Sequence, residues 1–356
     1  MKKRSMAAMW IVWSLLLGIC ACGQPKEDGT GQTAPGVTSG ETQGQAAEAS
    51  GAAETLEIRL AHSNAANQPI HEACESWAQK VSDASGGRIV INVYPSAQLG
   101  TLAETQEAVQ LGTLELAIAD TSLLSSIVPQ YGLFSLPFLI DGYESADAIV
   151  NGSIGEGIDN LAKEQGMVPL GWTWNGFRNF CTTTAITSVA DCSGMKLRSP
   201  EAQIYLDTFN ALGMKPTPLP WSEAFSAMQS GIVDGVESTL EAFYTQSFYT
   251  LGENICLSRH MISVIGPIAN AKWWDSLDEA DQTILEDAWG EVMAELNETV
   301  IGNEDAYARQ LREANANITE FADRQEIIDL YTDYWKETAD TNGYAKELEQ
   351  AMALVQ

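Results

Sequence analysis

Positive charge is what this sequence has least of. Its 356 residues carry 19 Lys and Arg against 48 Asp and Glu, with a formal net charge of −29. Such a chain repels polyanions, which excludes nucleic-acid binding and argues against docking on anionic headgroups. Six cysteines and three histidines contain no C-x-x-C spacing, so neither a metal site nor a cofactor is expected. No Ser-His or Cys-His constellation marks a nucleophile. Acid pairs such as Glu237 with Glu241 or Asp120 would be the basis of a surface-tethered hydrolase, but a general excess of acids produces such pairs anyway. An enzyme is not expected.

The one long apolar stretch, residues 6–19, is too short to span a membrane comfortably and follows Lys2-Lys3-Arg4. It ends Leu17-Gly18-Ile19-Cys20-Ala21-Cys22, which resembles a bacterial lipoprotein signal with Cys22 as the lipidated residue. The expectation is an exported protein, tethered by a lipid to the outer face of the cell membrane or in the periplasm. Cleavage there removes three positive charges and no negative ones, leaving 16 against 48. Residues 23–54 are mostly Gly, Ser, Thr, Gln, Ala and Glu, with one larger aliphatic, Val37, and no aromatic. They cannot bury a core and read as a flexible linker with a reach of roughly 30 Å.

Residues 55–356 are enough for a two-lobed body. Strand, helix, strand, helix, strand is the reading of residues 56–62, a helix from Pro69, 88–94, 102–111 and 114–119, the last ending at Asp120. His62 and His71 are read as helix-start and surface residues. Residues 129–139, with two prolines, read as a packed connection, and 144–165 as helical. Gly155-Glu156-Gly157 invites a nucleotide-loop reading that fails, because Asn160 replaces the third glycine and no strand leads in. A strand over 167–174 leads to an Asn175-Gly176 turn signal. Helices follow at 202–212 and at 223–230, the latter capped by Ser222, with a strand over 232–236. A strand-like run, 262–271, precedes a capping box at Ser276–Glu279 and a long helix to about Asn315. The acidic C-terminal segment is expected to pack on the outside of a lobe. A Cys181–Cys192 bridge is left open in this compartment.

Two features single out a site. Arg178 and Arg198 sit in short extended runs, and a guanidinium at a strand end offers a planar fork to a carboxylate. The alternative is that both are surface ion-pair partners. Gln110-Leu-Gly112-Thr-Leu-Glu115 is echoed by Gln229-Ser-Gly231-Ile-Val-Asp234, each a helix end, a glycine and a strand. The strands run out at Asp120 and at Ser238, and open α/β sheets bind ligands beyond their strands' carboxyl ends.

The order and spacing of several motifs then resemble the substrate-binding subunits of tripartite ATP-independent periplasmic (TRAP) transporters. They are G-G-R-I-V-I-N-V-Y-P-S-A-Q-L-G (86–100), L-P-F-L (136–139), N-G-F-R (175–178), G-M-K-L-R-S-P (194–200), G-M-K-P-T-P (213–218), W-S-E (221–223) and V-D-G (233–235). The resemblance implies an α/β, two-lobed, Venus-flytrap fold of the periplasmic-binding-protein type, with hinge strands and a long helix spanning the lobes. One lobe is expected over 55–175 with 264–303, the other over 176–263 with 304–356. It also implies that Arg198 salt-bridges a ligand carboxylate, with Arg178 supporting. Asp120 matches an acidic pocket residue, Trp221 an aromatic wall and Ser63 a polar residue of the first lobe. Asn175, in the N-G-F-R motif, joins them as a ligand contact. Ser238 stands where the family usually has asparagine, which removes an amide fork, and Glu201 adds an acid near the clamp. The implied partners are a small carboxylate-containing ligand, a sugar acid or a C4-dicarboxylate, and the integral membrane permease subunits. Presentation of ligand to a sensor kinase is the alternative.

Cys22→Ala is expected to release the protein from membranes of its native host, read by fractionation and immunoblotting. Retention of the variant in the membrane pellet rejects the lipid anchor.

Overall fold

A computed structural model describes residues 55–355 apart from Asp323, and the Cys22 and linker readings lie outside those residues. Strand β1 (Leu56–Ala61) leads to helix α1 (Pro69–Ala84), whose proline occupies the first turn, where its missing N–H costs nothing. The stripe Ile70, Ala73, Cys74, Trp77 and Val81 is buried, as its spacing predicts. Strand β2 (Ile89–Tyr94) and helix α2 (Leu102–Leu111) follow. A reciprocal Thr101–Glu104 capping box starts α2, and Gly112 ends it at φ +79°. Strand β3 (Leu116–Asp120) then runs into the short helix α3 (Thr121–Leu124). The segment Pro129–Ser135 is a buried 3-10 turn, a packed connection as read. Helices α4 (Tyr143–Val150) and α5 (Ser153–Glu164) and strand β4 (Met167–Pro169) come next.

The second half repeats the plan. Strand β5 (Thr173–Thr182) is followed by β6 (Lys196–Ser199), α6 (Gln203–Ala211), β7 (Lys215–Pro218), α7 (Trp221–Gln229), β8 (Gly235–Ser238) and α8 (Leu240–Thr245). Strand β9 (Asn254–Asn270), helix α9 (Ala271–Trp274), the 35-residue helix α10 (Glu279–Glu313), β10 (Asn317–Glu320), α11 (Arg324–Asn342) and α12 (Ala345–Leu354) complete it.

Hydrogen bonding gives the strand order β2-β1-β3-β9-β5-β8-β6-β7, with β4 and β10 both on β9. Strand β1 pairs parallel with β2 and β3, and β3 pairs antiparallel with β9. Likewise β6 pairs parallel with β7 and β8, and β8 pairs antiparallel with β5. The two halves are therefore built to one pattern, and the glycine echo marks corresponding α2–β3 and α7–β8 turns. This is a mixed α/β, two-lobed fold. Strand β5 pairs with β9 from Thr173 to Thr182, while the two ends of β9 reach β3 and β10. Strands β5 and β9 thus run through both halves. Helix α10 packs on α1, where Trp77 Nε1 donates to the Leu285 carbonyl (3.0 Å) and the Trp77 and Trp289 rings lie 5.2 Å apart.

Several local expectations are corrected. Asn175-Gly176 is not a turn but a bulge inside β5, with Gly176 at φ +108° absorbing the irregularity. Helix α7 starts at Trp221 with Pro220 before it, so Ser222 is no cap. Asp278, not Ser276, caps α10, accepting from the Asp281 N–H. Strand β9 begins eight residues earlier than its apolar run suggested, and β10 was not expected at all. His62 is buried rather than superficial, its Nε2 lying 3.2 Å from His71 Nδ1. Ile327, Tyr331, Trp335, Tyr344 and Leu348 of the C-terminal segment are core residues, so that segment is wedged in rather than laid outside. Cys181 and Cys192 are both free and buried.

The glycines of the rejected nucleotide loop are explained by packing. Gly155 is buried in the first turn of α5, where an added Cβ would fall on the Val150 carbonyl. Gly157, two residues on, faces open space. Gly155→Ala should cost about 3 kcal/mol and Gly157→Ala should gain about 0.5–1 kcal/mol, both read from urea unfolding. Equal effects of the two changes would contradict this packing.

Candidate functional site

One cavity, with about 680 Å³ of empty space including its mouth, gathers all seven residues picked from the sequence: Ser63, Asp120, Asn175, Arg178, Arg198, Trp221 and Ser238. Topology explains the convergence. Asp120 ends β3 and Ser238 ends β8, Arg198 lies near the end of β6, and Ser63 follows β1. Four strands from two similar halves direct their carboxyl ends at one space. Asn175 enters from the bulge of β5, and Trp221 from the first turn of α7, its ring packed 5.1 Å from Phe248.

The two arginines differ in their partners. Arg178 is held in a fork by Glu237, with Nε to Oε2 at 2.5 Å and Nη2 to Oε1 at 2.6 Å. Its Nη2 also donates to the Glu237 carbonyl at 3.2 Å, and its guanidinium sits 5.2 Å from the Tyr205 ring. Glu237 is fully buried, and His260 Nε2 lies 3.3 Å from its Oε2. His260 in turn stacks on Phe180 at 4.6 Å and reaches Ser258 Oγ at 2.8 Å. Burial works to raise the Glu237 pKa, but Arg178 and His260 outweigh it and hold the carboxyl below its usual range. Arg178 is displaced the other way: burial lowers its pKa, yet Glu237 carries it above the ordinary arginine value.

Arg198 has no such counter-charge. It is 3 % exposed, yet among the described residues it makes no ion pair. Its Nε and Nη2 donate to one carbonyl, that of Leu219, at 2.9 and 2.6 Å, and its guanidinium lies 5.2 Å from the Trp221 ring. Burial pulls its pKa down to about 10, which still leaves it cationic at neutral pH. A cation this dry, beside an aromatic face and held by a neutral carbonyl, favours an anion from outside the chain.

In the same cavity, Asp120 Oδ1 accepts from the Ser122 N–H (2.9 Å) and Ser122 Oγ (2.6 Å), capping α3. Desolvation raises its pKa, with Ser122 and Arg178 opposing. The Asp120 N–H is fixed by Gln106 Oε1 at 3.0 Å. Glu201 is exposed and lines the mouth. Gln68, Ser122 and Ser263 also line the cavity and were not picked from the sequence. The one available signal was Ser263, a lone polar residue within Met261-Ile-Ser-Val-Ile265. The acid pair Glu237–Glu241 is spoken for, since Glu241 accepts from Gln68 (2.9 Å) and Thr245 (3.0 Å).

A second cavity of about 460 Å³ lies between β5, α8 and α10. No Arg or Lys lines it, and Glu304 there already binds Arg259 (2.9 Å) and Tyr143 (3.1 Å). It has no charge to offer an acid.

Comparison with known proteins gives a family. The model of the bacterial extracellular solute-binding proteins, family 7, matches residues 60–342. A solute-binding protein of Verminephrobacter eiseniae is 31% identical over 259 residues, covering 72% of this chain and 77% of that protein. The C4-dicarboxylate-binding protein DctB of Bacillus subtilis is 28% identical over 280 residues, 77% of this chain and 79% of its own length. Among solved structures, a sugar acid binding protein of Advenella mimigardefordensis in complex with galactonate superposes with a TM-score of 0.81. It is 26% identical, covering 85% of this chain and 98% of that one.

Glu237→Ala strands a buried guanidinium and is expected to cost about 3–5 kcal/mol in chemical unfolding. Arg198→Ala strands no charge and should cost a small part of that. The Glu237 contribution is present above the unfolded glutamate pKa of about 4.3 and is lost as pH falls through the lowered folded value. Equal losses in the two variants would show that the Arg178–Glu237 pair is not a special constraint.

Proposed function

Since this chain belongs to family 7 of the bacterial extracellular solute-binding proteins, the substrate-binding subunits of TRAP transporters, we propose that it captures a small hydroxylated organic acid through an Arg198–carboxylate clamp and delivers it to the membrane permease. The observation that carries this is the charge state of the cavity. Of its two buried guanidinium groups, Arg178 is neutralised by Glu237, and Arg198 is left with a neutral carbonyl. One unmatched cation suits one carboxylate. Trp221 supplies a flat apolar wall for the carbon skeleton, and the serines and Asn175 suit hydroxyl groups.

Asp120 bears on the choice of acid. Its carboxylate accepts hydrogen bonds from hydroxyls but repels a second carboxylate, which favours a sugar acid such as an aldonate or uronate over a C4-dicarboxylate. The galactonate bound by the Advenella protein supports that choice, while the name of the Bacillus relative keeps the dicarboxylate as the other arm of the test. Ser238, lacking an amide fork, makes a smaller contact than the asparagine usual in the family. Arg178 acts here as a positioning residue: it brings Glu237 and the β5–β8 pair into register beneath the ligand, and its loss would harm the fold as well as binding. We take the lobe boundaries at 175/176 and 263/264, where β5 bulges between Trp174 and Gly176 against Ser263 and Val264. Cys22 would tether the body outside the cell through the linker.

Calorimetry with galactonate, glucuronate and succinate tests the clamp. Arg198→Ala should lose about 2–5 kcal/mol, roughly 30- to several thousand-fold, on whichever acid binds. Arg198→Lys keeps the charge without the planar fork and should still lose much of that. Unchanged affinity in Arg198→Ala rejects the carboxylate clamp.

A further inference from the structure

We propose that Ser263 determines specificity in this site by reading a hydroxyl on the carbon chain of the bound acid. The proposal rests on the hydroxy-acid reading above and assigns one of its contacts to a residue of the hinge strand β9.

Ser263 is 2 % exposed, and its Oγ has no hydrogen-bond partner among the described residues. A buried hydroxyl left unmatched costs about 1–3 kcal/mol, so the run Met261–Ile265, otherwise Met, Ile and Val, has a clear energetic reason to exclude it. Other buried polar atoms without partners belong to His62, Ser199, Gln246, Gln310, Tyr334 and Tyr344. None of those residues lines the Arg198 cavity, and Ser263 does. Its unmatched hydroxyl therefore lies where a ligand replaces the missing partner.

The strand register places a second hydroxyl-reading group beside it. Asp120 pairs directly with Ile265, so Ser263, two residues along β9, belongs to the same face and is the diagonal neighbour of Asp120. Diagonal pairs in an antiparallel ladder stand roughly 7–8 Å apart. At that spacing the two side chains contact different hydroxyls of one ligand rather than share one. Oδ1 of Asp120 is already occupied by Ser122, and Oδ2 makes no hydrogen bond among the described residues. Asp120 is an acceptor and repels a carboxylate, while the Ser263 hydroxyl both donates and accepts. The wall they form matches a chain bearing at least two hydroxyls beyond the carboxylate that Arg198 holds. It does not match the second carboxylate of a short diacid.

The test is a cycle between protein and ligand. Wild type and Ser263→Ala are titrated calorimetrically with galactonate, with a set of monodeoxygalactonates and with succinate, and Arg198→Ala is carried in parallel. Ser263→Ala should lose about tenfold on galactonate, and one deoxy acid should bind both proteins equally, because its missing hydroxyl is the one Ser263 contacts. Without ligand, Ser263→Ala should unfold at the same urea concentration as wild type or a higher one, since it removes an unmatched buried hydroxyl. A tenfold loss repeated on every deoxy acid, or no loss on galactonate, overturns the proposal while an Arg198 effect leaves the clamp standing. A drop in the ligand-free unfolding midpoint also overturns it, by showing that the partner of Ser263 is the protein. Binding of succinate with none of the hydroxy acids overturns it together with the hydroxy-acid reading.

Discussion

The buried ion pair between Arg178 and Glu237 is the constraint on which the site depends. It joins β5, a strand shared by both halves, to β8, the innermost parallel strand of the second half, and both side chains are buried. Buried pairs of this kind are not reliably stabilising relative to a well-packed apolar substitute, because both ions must be desolvated. What the pair does supply is a defined arrangement. Glu237 meets Arg178 in the register in which β8 pairs with β5, and in that register Ser238 lies beside Asn179 and lines the cavity. It also consumes one of the cavity's two cations. That leaves Arg198 as the cavity's guanidinium without an ion-pair partner among the described residues, the group to which the proposed function assigns the anion.

The architecture makes such a site physically affordable in a protein of this charge. A diffuse field from dozens of surface carboxylates is screened by salt within roughly 8–10 Å, whereas a guanidinium almost out of contact with water acts at close range through a low dielectric. Two halves of similar design, each directing the carboxyl ends of its strands inward, create the enclosed space in which this difference matters. The polar ends, Asp120 and Ser238, occupy corresponding places in the two halves, so the cavity is assembled from one repeated device. The strands that pass between the halves, β5 and β9, carry their irregularities at Asn175 and between Arg178 and Phe180, next to the groups that would touch a ligand.

Much of this was legible in the chain because it depends on local periodicity and local punctuation. The stripe on α1, the stripe read from Leu285 to Val300 on α10, of which Val300 is only partly buried, and the glycine-marked turns before β3 and β8 are properties of neighbours in sequence. So was the scarcity of positive charge that made Arg178 and Arg198 worth singling out. The tertiary structure decided what those two arginines are. Glu237 lies 59 residues from Arg178, and no spacing rule separates it from the many other acids of the chain. Asn175-Gly176 reads as a turn from its composition, yet the ladder to β9 holds it extended, with glycine taking up the bulge. Ser263 is a lone polar residue in the apolar run 261–265, and only the packing of β9 against β3 and β5 placed it at the wall of the cavity. Local interactions determine which segments become helix or strand. Which charges are neutralised and which stay free is settled by contacts between distant segments, because each charge takes the partner that the fold brings within reach.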